Sequence, residues 1–409
     1  MLENKKREQC CGCSACYSIC PRKAISMMPD KEGFFYPSIN KEKCINCGLC
    51  EKICPVLTKI AEPKNESVHW ALQYTVEEKR VCSTAGGAFS LVADYILEND
   101  GVVFGVGYDE KMVVCHKYTE SSEGLIKMRG SKYVQSYLGD TFTLVKAYVE
   151  KGKPVLFVGT PCQVHGLKNY IGEHDNLYTI DLLCLGVSSP MLFGKWIEYV
   201  QHKFHGIVSD VQFRNKRYGY ATTNVRVYLE NGKEYDQKYE TRNYAKTFFD
   251  HYNVRPSCYE CNFREIPRVS DFTIGDCTSI GLYSSEMDDD KGTTNVWAHT
   301  GKAKTLLRML QKRTRNVVIK SCCNNVIGGH KRQVPTPQDR ENFFDDAVKL
   351  DFEVFINKWE PNNLKGRLGE LARPIVNKCP PCIKKYIFGL LRKYKTKKFS
   401  DQVKKVNQE

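Results

Sequence analysis

Runs of apolar residues along positions 69–204 alternate between the spacing of strands and that of helices. Short, continuous apolar runs predict strands at 69–75, 101–109, 153–160 and 176–187. Longer amphipathic stretches predict helices at 86–100, 161–172 and 190–204. This strand–helix–strand order favours an α/β core with a mainly parallel sheet. An Asn231–Gly232 turn then predicts a hairpin at 222–239. The core is predicted to end near residue 345, and the last sixty residues to be helical.

The first 60 residues instead carry two runs of cysteine with the same spacing, C-x2-C-x2-C-x3-C-P. This is the bacterial ferredoxin pattern, in which the fourth cysteine of each run ligates the other [4Fe–4S] cluster. One cluster is therefore predicted at Cys10, Cys13, Cys16 and Cys54, and the second at Cys44, Cys47, Cys50 and Cys20. Cys11 is left over, as a structural or incidental residue.

A pair of zinc sites is the alternative, because CxxC pairs also suit tetrahedral zinc. Zinc ribbons do not need a third cysteine at x2 and a fourth at x3 before a proline, so the spacing favours two clusters that carry single electrons. A ferredoxin is complete by about residue 60, and 58–67 is predicted to be a polar linker that contains proline. The rest of the chain is then a place where electrons enter or leave.

The distribution of charge argues against nucleic-acid binding, and the targeting signals indicate a compartment. Of the formal net charge of +14, residues 378–409 carry +8, which leaves too little elsewhere to indicate a nucleic-acid groove. The basic tail is predicted to be an amphipathic helix, with Ile383, Ile387, Leu390 and Leu391 on one side, that lies on anionic lipid, docks on a partner or is simply solvated. Without a secretory h-region or an apolar stretch of about 18 residues, the expected compartment is the cytoplasm, where clustered cysteines usually bind metal.

Four further cysteines lie where metal ligands would. Cys162 follows a predicted strand, Cys184 ends the next, and Cys258 and Cys261 form a CxxC in a predicted loop. Since the ends of neighbouring parallel strands meet at one sheet edge, these four could form one site. Buried thiols acting as small apolar side chains are the alternative, and Cys277 is a rival ligand. Four remaining cysteines are expected to be ordinary thiols, namely Cys322, Cys323, Cys379 and Cys382.

A small-residue segment, CSTAGGAFSL at 82–91, precedes the first predicted helix of the core. Glycines at a helix N-terminus present free N–H groups suited to phosphate. The segment matches neither common nucleotide-binding motif, so a capped helix start with close packing explains it equally well.

Six motifs follow one another in the order of a known family. They are STAGGAFSLV, MRGSKYVQS (128–136), FVGTPCQVHGLK (157–168), LLCLGVSSP (182–190), FRNKRYG (213–219) and RPSCYECNF with VSDFTIGD (255–276). Together they resemble the coenzyme F-420 hydrogenase/dehydrogenase beta-subunit family, here preceded by a two-cluster ferredoxin domain. The resemblance covers roughly residues 1–345.

The resemblance implies an FAD-containing iron–sulfur oxidoreductase that passes electrons between a redox partner protein and a small organic two-electron donor or acceptor. It implies a flavin lined by Ser83, Thr84, Gly86, Gly87, Gly130, Ser131, Lys132 and Tyr133. It implies a third [4Fe–4S] cluster at Cys162, Cys184, Cys258 and Cys261. Lys132 would favour a flavin anion or a phosphate. A non-catalytic electron-transfer subunit, docked on a partner enzyme and linked to surface-polysaccharide synthesis as in some relatives, is the alternative.

The substrate stays open, because SDFTIGDCTSIG lacks the tryptophan that many relatives have in this motif and the residues indicate no deazaflavin pocket. The predicted fold is α+β, with an α/β flavin-binding core after the ferredoxin domain. Its predicted parts are a dicluster domain at 1–60, the two parts of the family domain at 68–150 and 151–345, and a helical basic tail at 346–409.

Overall fold

The computed structural model describes residues 6–58, 66–319, 334–380, 383–384 and 386–387. Its strands are β1 (Ile25–Pro29), β2 (Phe35–Ile39), β3 (Val68–Tyr74), β4 (Val102–Tyr108), β5 (Val114–Thr119), β6 (Val155–Gly159), β7 (Leu177–Leu182), β8 (Val208–Asn215), β9 (Asn224–Leu229), β10 (Glu234–Asp236), β11 (Phe272–Asp276), β12 (Thr294–Ala298) and β13 (Thr314–Val318). Its α-helices are α1 (Ala15–Ile19), α2 (Leu49–Lys52), α3 (Glu77–Val81), α4 (Ala88–Glu98), α5 (Ser122–Met128), α6 (Thr141–Glu150), α7 (Pro161–Ile171), α8 (Pro190–Phe204), α9 (Tyr239–Phe249), α10 (Pro256–Tyr259), α11 (Gly301–Met309), α12 (Arg340–Lys349), α13 (Phe352–Trp359) and α14 (Leu364–Lys378).

An eight-stranded sheet in the order β13-β3-β12-β11-β7-β6-β4-β5 forms the centre of the molecule. The neighbouring strands β4, β6, β7 and β11 run parallel, whereas β12, β3, β13 and β5 pair antiparallel. The expectation of a mainly parallel sheet is therefore wrong, and the sheet is mixed. The helices that alternate with the strands along the chain account for the parallel half of the sheet. Long-range pairing adds β3, from the start of the core, and β12 and β13, from its end, to one side of that half.

The connection between β6 and β7 presents the first cysteine of the core. Thr160 caps α7 in a capping box with Gln163, and Pro161 occupies the first turn, where its missing N–H costs nothing. Cys162 therefore lies in the first turn of α7, at the carboxyl edge of β6. The predicted helix at 161–172 agrees closely with α7.

A second, antiparallel sheet of β8, β9 and β10 packs with α8 and the C-terminal helices. The hydrophobic core between this sheet and these helices contains Trp196. The same core continues through Phe343 and Phe355 to Ile356, and all four side chains are buried. The core therefore extends about ten residues beyond the predicted end near 345, because α13 packs on α8 and α12 packs on α13.

The N-terminal segment forms a small unit of the β1–β2 hairpin and two short helices that pack together. Each helix follows a cysteine loop and begins after a residue with positive φ, Ser14 at 61° and Gly48 at 73°. This repeated geometry is what the repeated cysteine spacing predicts. The first loop lies on α7, where a Cβ on Gly166 would come within 2.9 Å of Cys13 Sγ, so only glycine allows this approach.

Part of the predicted basic tail, including Leu390 and Leu391, lies outside the described residues. Within them, the predicted apolar residue Ile383 is exposed, whereas Lys384 is buried and donates from Nζ to the Tyr218 carbonyl oxygen over 2.7 Å. In the described part of the chain, no helix combines the length and the apolar character needed to cross a membrane.

Candidate functional site

A cavity of about 260 Å³ collects the cysteines predicted for the first cluster. Cys10, Cys13 and Cys16 of the first run and Cys54 of the second run all line it. The structure therefore places Cys54 beside the first run, as the predicted exchange of the fourth cysteine requires, and the ligand set itself stays a prediction. Burial raises the pKa of the Cys16 thiol to about 12, so a positive metal centre is needed to keep such a thiolate in this place.

The cysteines predicted for the second cluster lie further out. Cys47 is exposed, and Cys20, Cys44 and Cys50 are half-buried. Cys50 lies on α2, which packs on α1, and Cys20 directly follows α1, so these two residues lie on neighbouring elements. The binding of a second cluster by all four cysteines stays a prediction.

A smaller cavity, of about 30 Å³, collects the four cysteines that the sequence places in the core. It is lined by Cys162 at the start of α7, Cys184 after β7, and Cys258 and Cys261 in and after α10. Burial raises the pKa of Cys184 to about 12 and also raises the pKa of Cys258. The rival Cys277 is buried elsewhere, in an apolar cluster with Ile280 and Met287.

The cysteines predicted for the first cluster line one cavity, and the four core cysteines line another. The side chains of neither set meet around a single point. Among the residues that the structure describes, no three His, Cys, Asp or Glu side chains could together hold a single metal ion. A cubane takes one cysteine on each of its irons, so its ligands stand around a cavity. The choice between clusters and zinc therefore rests on the spacing of the cysteine runs.

A third cavity, of about 640 Å³, collects seven of the eight residues predicted for the flavin. Those seven are Ser83, Thr84, Gly87, Gly130, Ser131, Lys132 and Tyr133. Gly86 does not line it. A Cβ on Gly86 would collide with the Leu72 carbonyl oxygen and lie 2.6 Å from Thr294 N, so this glycine serves close packing beneath the cavity.

The two predicted flavin motifs meet at one hydrogen bond. The backbone N–H of Ser131 donates to Thr84 Oγ1 over 2.9 Å, and the two hydroxyl oxygens are 3.1 Å apart. Gly87, at φ 91°, caps the start of α4, so the N-terminal end of this helix opens beside the motifs. Free N–H groups at such an end attract phosphate.

Lys132 lines the cavity, but its ammonium group is bonded elsewhere. Nζ donates to the carbonyl oxygens of Lys127 and Arg129 over 3.1 and 2.9 Å, at the end of α5. Burial lowers the Lys132 pKa to about 8. These two bonds use two of the three N–H donors of the ammonium group, so one donor is left for the expected interaction with a flavin anion or a phosphate.

The cation and anion that the sequence reasoning missed are Arg214 and Asp276. Both line the large cavity, and their ion pair joins Nη1 to Oδ2 over 2.8 Å. Arg214 lies near the end of β8 and Asp276 ends β11. Both stand in motifs already singled out, FRNKRYG and VSDFTIGD, but the first alone is indistinguishable from a solvated turn.

The three cavities share walls. Cys11 lines both the first and the second, and its thiol interacts with those of Cys13 and Cys162. Cys184 lines both the second and the large cavity, together with Thr160 and Gln163. The N-terminal cysteines, the core cysteines and the large cavity therefore form one continuous series.

Comparison with known proteins agrees with this geometry. Residues 152–319 match the family described as the C terminus of the coenzyme F420 hydrogenase/dehydrogenase beta subunit. Residues 9–58 match the 4Fe-4S dicluster domain. The predicted family resemblance is confirmed. The chain is an iron–sulfur electron-transfer protein related to that beta subunit, and its N-terminal cysteine runs form a dicluster domain.

Among solved structures, the chain is similar to one from the xenon-derivatised F420-reducing [NiFe] hydrogenase complex of Methanosarcina barkeri. The two are 14% identical with a TM-score of 0.43, and the likeness covers 75% of this chain and 97% of that one. No curated protein sequence matches the chain.

Proposed function

We propose that the chain is an iron–sulfur flavoprotein oxidoreductase. It exchanges electrons between a one-electron redox partner protein and a small organic two-electron donor or acceptor, using three [4Fe–4S] clusters and FAD. The observation that carries this proposal is the continuous series of cavities, in which Cys11 and Cys184 each stand in a shared wall. Such a series supports electron transfer because adjoining cofactors are close neighbours.

The residues of the second cavity suit a third cluster. Four thiols from three separate segments meet there. A hydrogen bond with Cys11, followed by burial, raises the pKa of Cys162, and burial raises the pKa of the other three. Thiols gathered in this way become stable ligands only when a metal deprotonates them. The second cavity is much smaller than the first. A cluster would fit there only if the four cysteine side chains rotated away from the centre of the cavity.

The large cavity suits FAD by size and by lining. Its volume of about 640 Å³ lies within the usual range of about 300–1,000 Å³ for cofactor sites. Thr84, Ser131 and the start of α4 offer polar groups for a diphosphate, while Tyr133, Phe248 and Phe249 offer aromatic surface. FAD, when bound, can exchange one or two electrons and so link the clusters to two-electron organic chemistry.

Arg214 and Asp276 are the residues of this cavity best placed to orient a substrate. Their ion pair is partly exposed, with 21% and 28% of the side chains accessible. A substrate carboxylate or carbonyl oxygen could therefore accept from Arg214 while Asp276 holds the guanidinium in place. An ion pair that is open to the cavity favours an enzyme over a relay subunit with no substrate of its own.

The deciding experiment is anaerobic purification with iron, sulfide, zinc and flavin assays. Three [4Fe–4S] clusters predict about twelve iron atoms per chain, together with one FAD. About eight iron atoms with FAD would remove the third cluster. About twelve without flavin would favour a non-catalytic electron-transfer subunit, and a colourless zinc protein would overturn the proposal.

A further inference from the structure

Arg255 is a fully buried arginine that lies between the first two cavities. It directly precedes α10, which carries Cys258, and none of its surface is accessible. Nε donates to the Cys10 carbonyl oxygen over 2.8 Å, Nη1 to Gln135 Oε1 over 3.1 Å and Nη2 to the Phe35 carbonyl oxygen over 3.1 Å. The guanidinium fork thus holds the dicluster domain to the core.

The packing around this group is tight. The guanidinium carbon lies 4.1 Å from the centre of the Tyr36 ring. Gly12, at φ 68°, lies close by, where a Cβ would come within 3.0 Å of Nη1. The position of the positive charge is therefore fixed relative to the first cysteine loop.

Among the residues that the structure describes, none provides a carboxylate partner for the charge of Arg255. All three hydrogen bonds end on neutral oxygen atoms, and among the described residues no Asp or Glu forms an ion pair with it. Other buried arginines do have one, as in the pairs Arg80–Asp289, Arg268–Asp181 and Arg340–Glu32. A buried charge without compensation is strongly unfavourable, so its counter-charge must come from elsewhere.

The nearest candidates for that counter-charge are the cluster ligands. Arg255 lies within electrostatic reach of the sulfur atoms of Cys10, Cys11 and Cys258. Cys10 belongs to the first cavity and Cys258 to the second. A cubane held by four thiolates is a net anion and becomes more negative when it takes up one electron.

We propose that Arg255 sets the reduction potentials of the two clusters on either side of it. Its positive charge stabilises the reduced form of each, into which one electron enters without a proton. Both potentials are therefore higher than they would be without it. For the cluster at Cys258 this inference rests on the proposed function, whereas the cluster at Cys10 belongs to the dicluster domain.

Redox titration followed by electron paramagnetic resonance tests this inference on the holoprotein. R255Q removes the charge and R255K retains it. Q135E puts a carboxylate at the acceptor of Nη1, so it neutralises the same charge while Arg255 stays in place. The exposed Arg217, paired with Glu234 in the second sheet, provides R217Q as the matched control.

At a fixed potential, R255Q and Q135E are expected to shift the inner clusters toward the oxidised form by about tenfold, which is about 59 mV for one electron. The reduction potential of the outer cluster at Cys44 should stay near the wild-type value in every variant. The potentials of all clusters in R255K and R217Q should also stay near the wild-type values. If R255Q loses its iron during purification, the inner-cluster potentials measured for Q135E decide the test. Unchanged inner potentials in either loaded variant would overturn the inference, as would loss of the inner clusters from R255K, since the retained charge should retain them. A wild-type protein without clusters would instead count against the proposed function.

Discussion

Thr84 Oγ1 accepts a hydrogen bond from the backbone N–H of Ser131 over 2.9 Å, and this bond joins two segments that lie 47 residues apart. The segments STAGGA and GSKY both line the large cavity, and each is exposed to it through small or polar residues. The bond therefore fixes the distance between the two walls that we propose hold the flavin.

Replacing Thr84 with valine should weaken FAD binding. The substitution keeps the shape of the side chain but leaves the Ser131 N–H without its acceptor, which costs about 1 kcal/mol or more and predicts about a five- to tenfold weaker affinity. Titration of the deflavinated protein with FAD measures the change. Thr305→Val, on the exposed side of α11, is the matched control. Equal affinities in both variants would show that the bond does not shape the flavin site.

Cys184 and Cys277 give a direct test of the third cluster. Cys184→Ser should lower the iron content by about four atoms per chain, because it removes a ligand from the second cavity. Cys277→Ser should keep all the iron, since Cys277 lies in a separate apolar cluster. Iron and sulfide assays of both purified proteins measure this. The reverse result would make Cys277 the ligand.

Cys11 offers a similar comparison in the dicluster domain. It lies in the wall between two cavities, whereas its neighbour Cys10 is one of the four predicted ligands of the first cluster. Cys10→Ser should therefore lose about four iron atoms, and Cys11→Ser should lose none. An iron loss from Cys11→Ser as large as that from Cys10→Ser would assign Cys11 to a cluster.

Local patterns predicted the parts of the molecule that depend on local geometry. The predicted helices at 161–172 and 190–204 agree with α7 and α8 within a residue or two. The capping residues and the apolar spacing that determine these helices lie within the segments themselves. The position of Cys54 in the cavity of the first run followed from the shared spacing of the two runs. The common sheet edge likewise brought Cys162 and Cys184 together, as parallel strands require.

Features that depend on long-range pairing were not predictable in this way. β3 pairs antiparallel with β12 and β13, more than 200 residues away, and these two pairings supply half of the antiparallel contacts in the sheet. Arg214 and Asp276 meet only because β8 and β11 end at the same cavity. Nothing near Arg255 in the sequence shows that its charge lies among the cysteines of another domain.

The extended core at the C-terminal side gives a stability prediction. Phe355 on α13 is fully buried and packs on Phe343 with ring centres 5.0 Å apart. Phe355→Ala should therefore lower the free energy of unfolding by about 3–5 kcal/mol, as a large cavity in a core does. Urea unfolding measures it, with the exposed Val354→Ala as control. A loss under about 1 kcal/mol would restore the predicted core boundary near 345.

His116 predicts how stability depends on pH. It is buried on β5, its ring stacks on Phe157, and its Nε2 lies 3.1 Å from the Val158 carbonyl oxygen. Burial lowers its pKa from 6.5 to about 4. Between these values the unfolded chain binds a proton that the folded chain does not, so stability falls as the pH drops from about 6.5 to about 4.

His116→Phe removes this proton uptake while keeping an aromatic ring against Phe157. Between pH 7 and pH 4.5, the free energy of unfolding of the wild type should fall by about 2–3 kcal/mol more than that of the variant, since each pKa unit is worth about 1.4 kcal/mol. Urea unfolding of both proteins at each pH measures the difference, and comparing them cancels acid effects on the clusters that the two share. Parallel pH profiles would mean that His116 takes up its proton in the folded chain as readily as in the unfolded one.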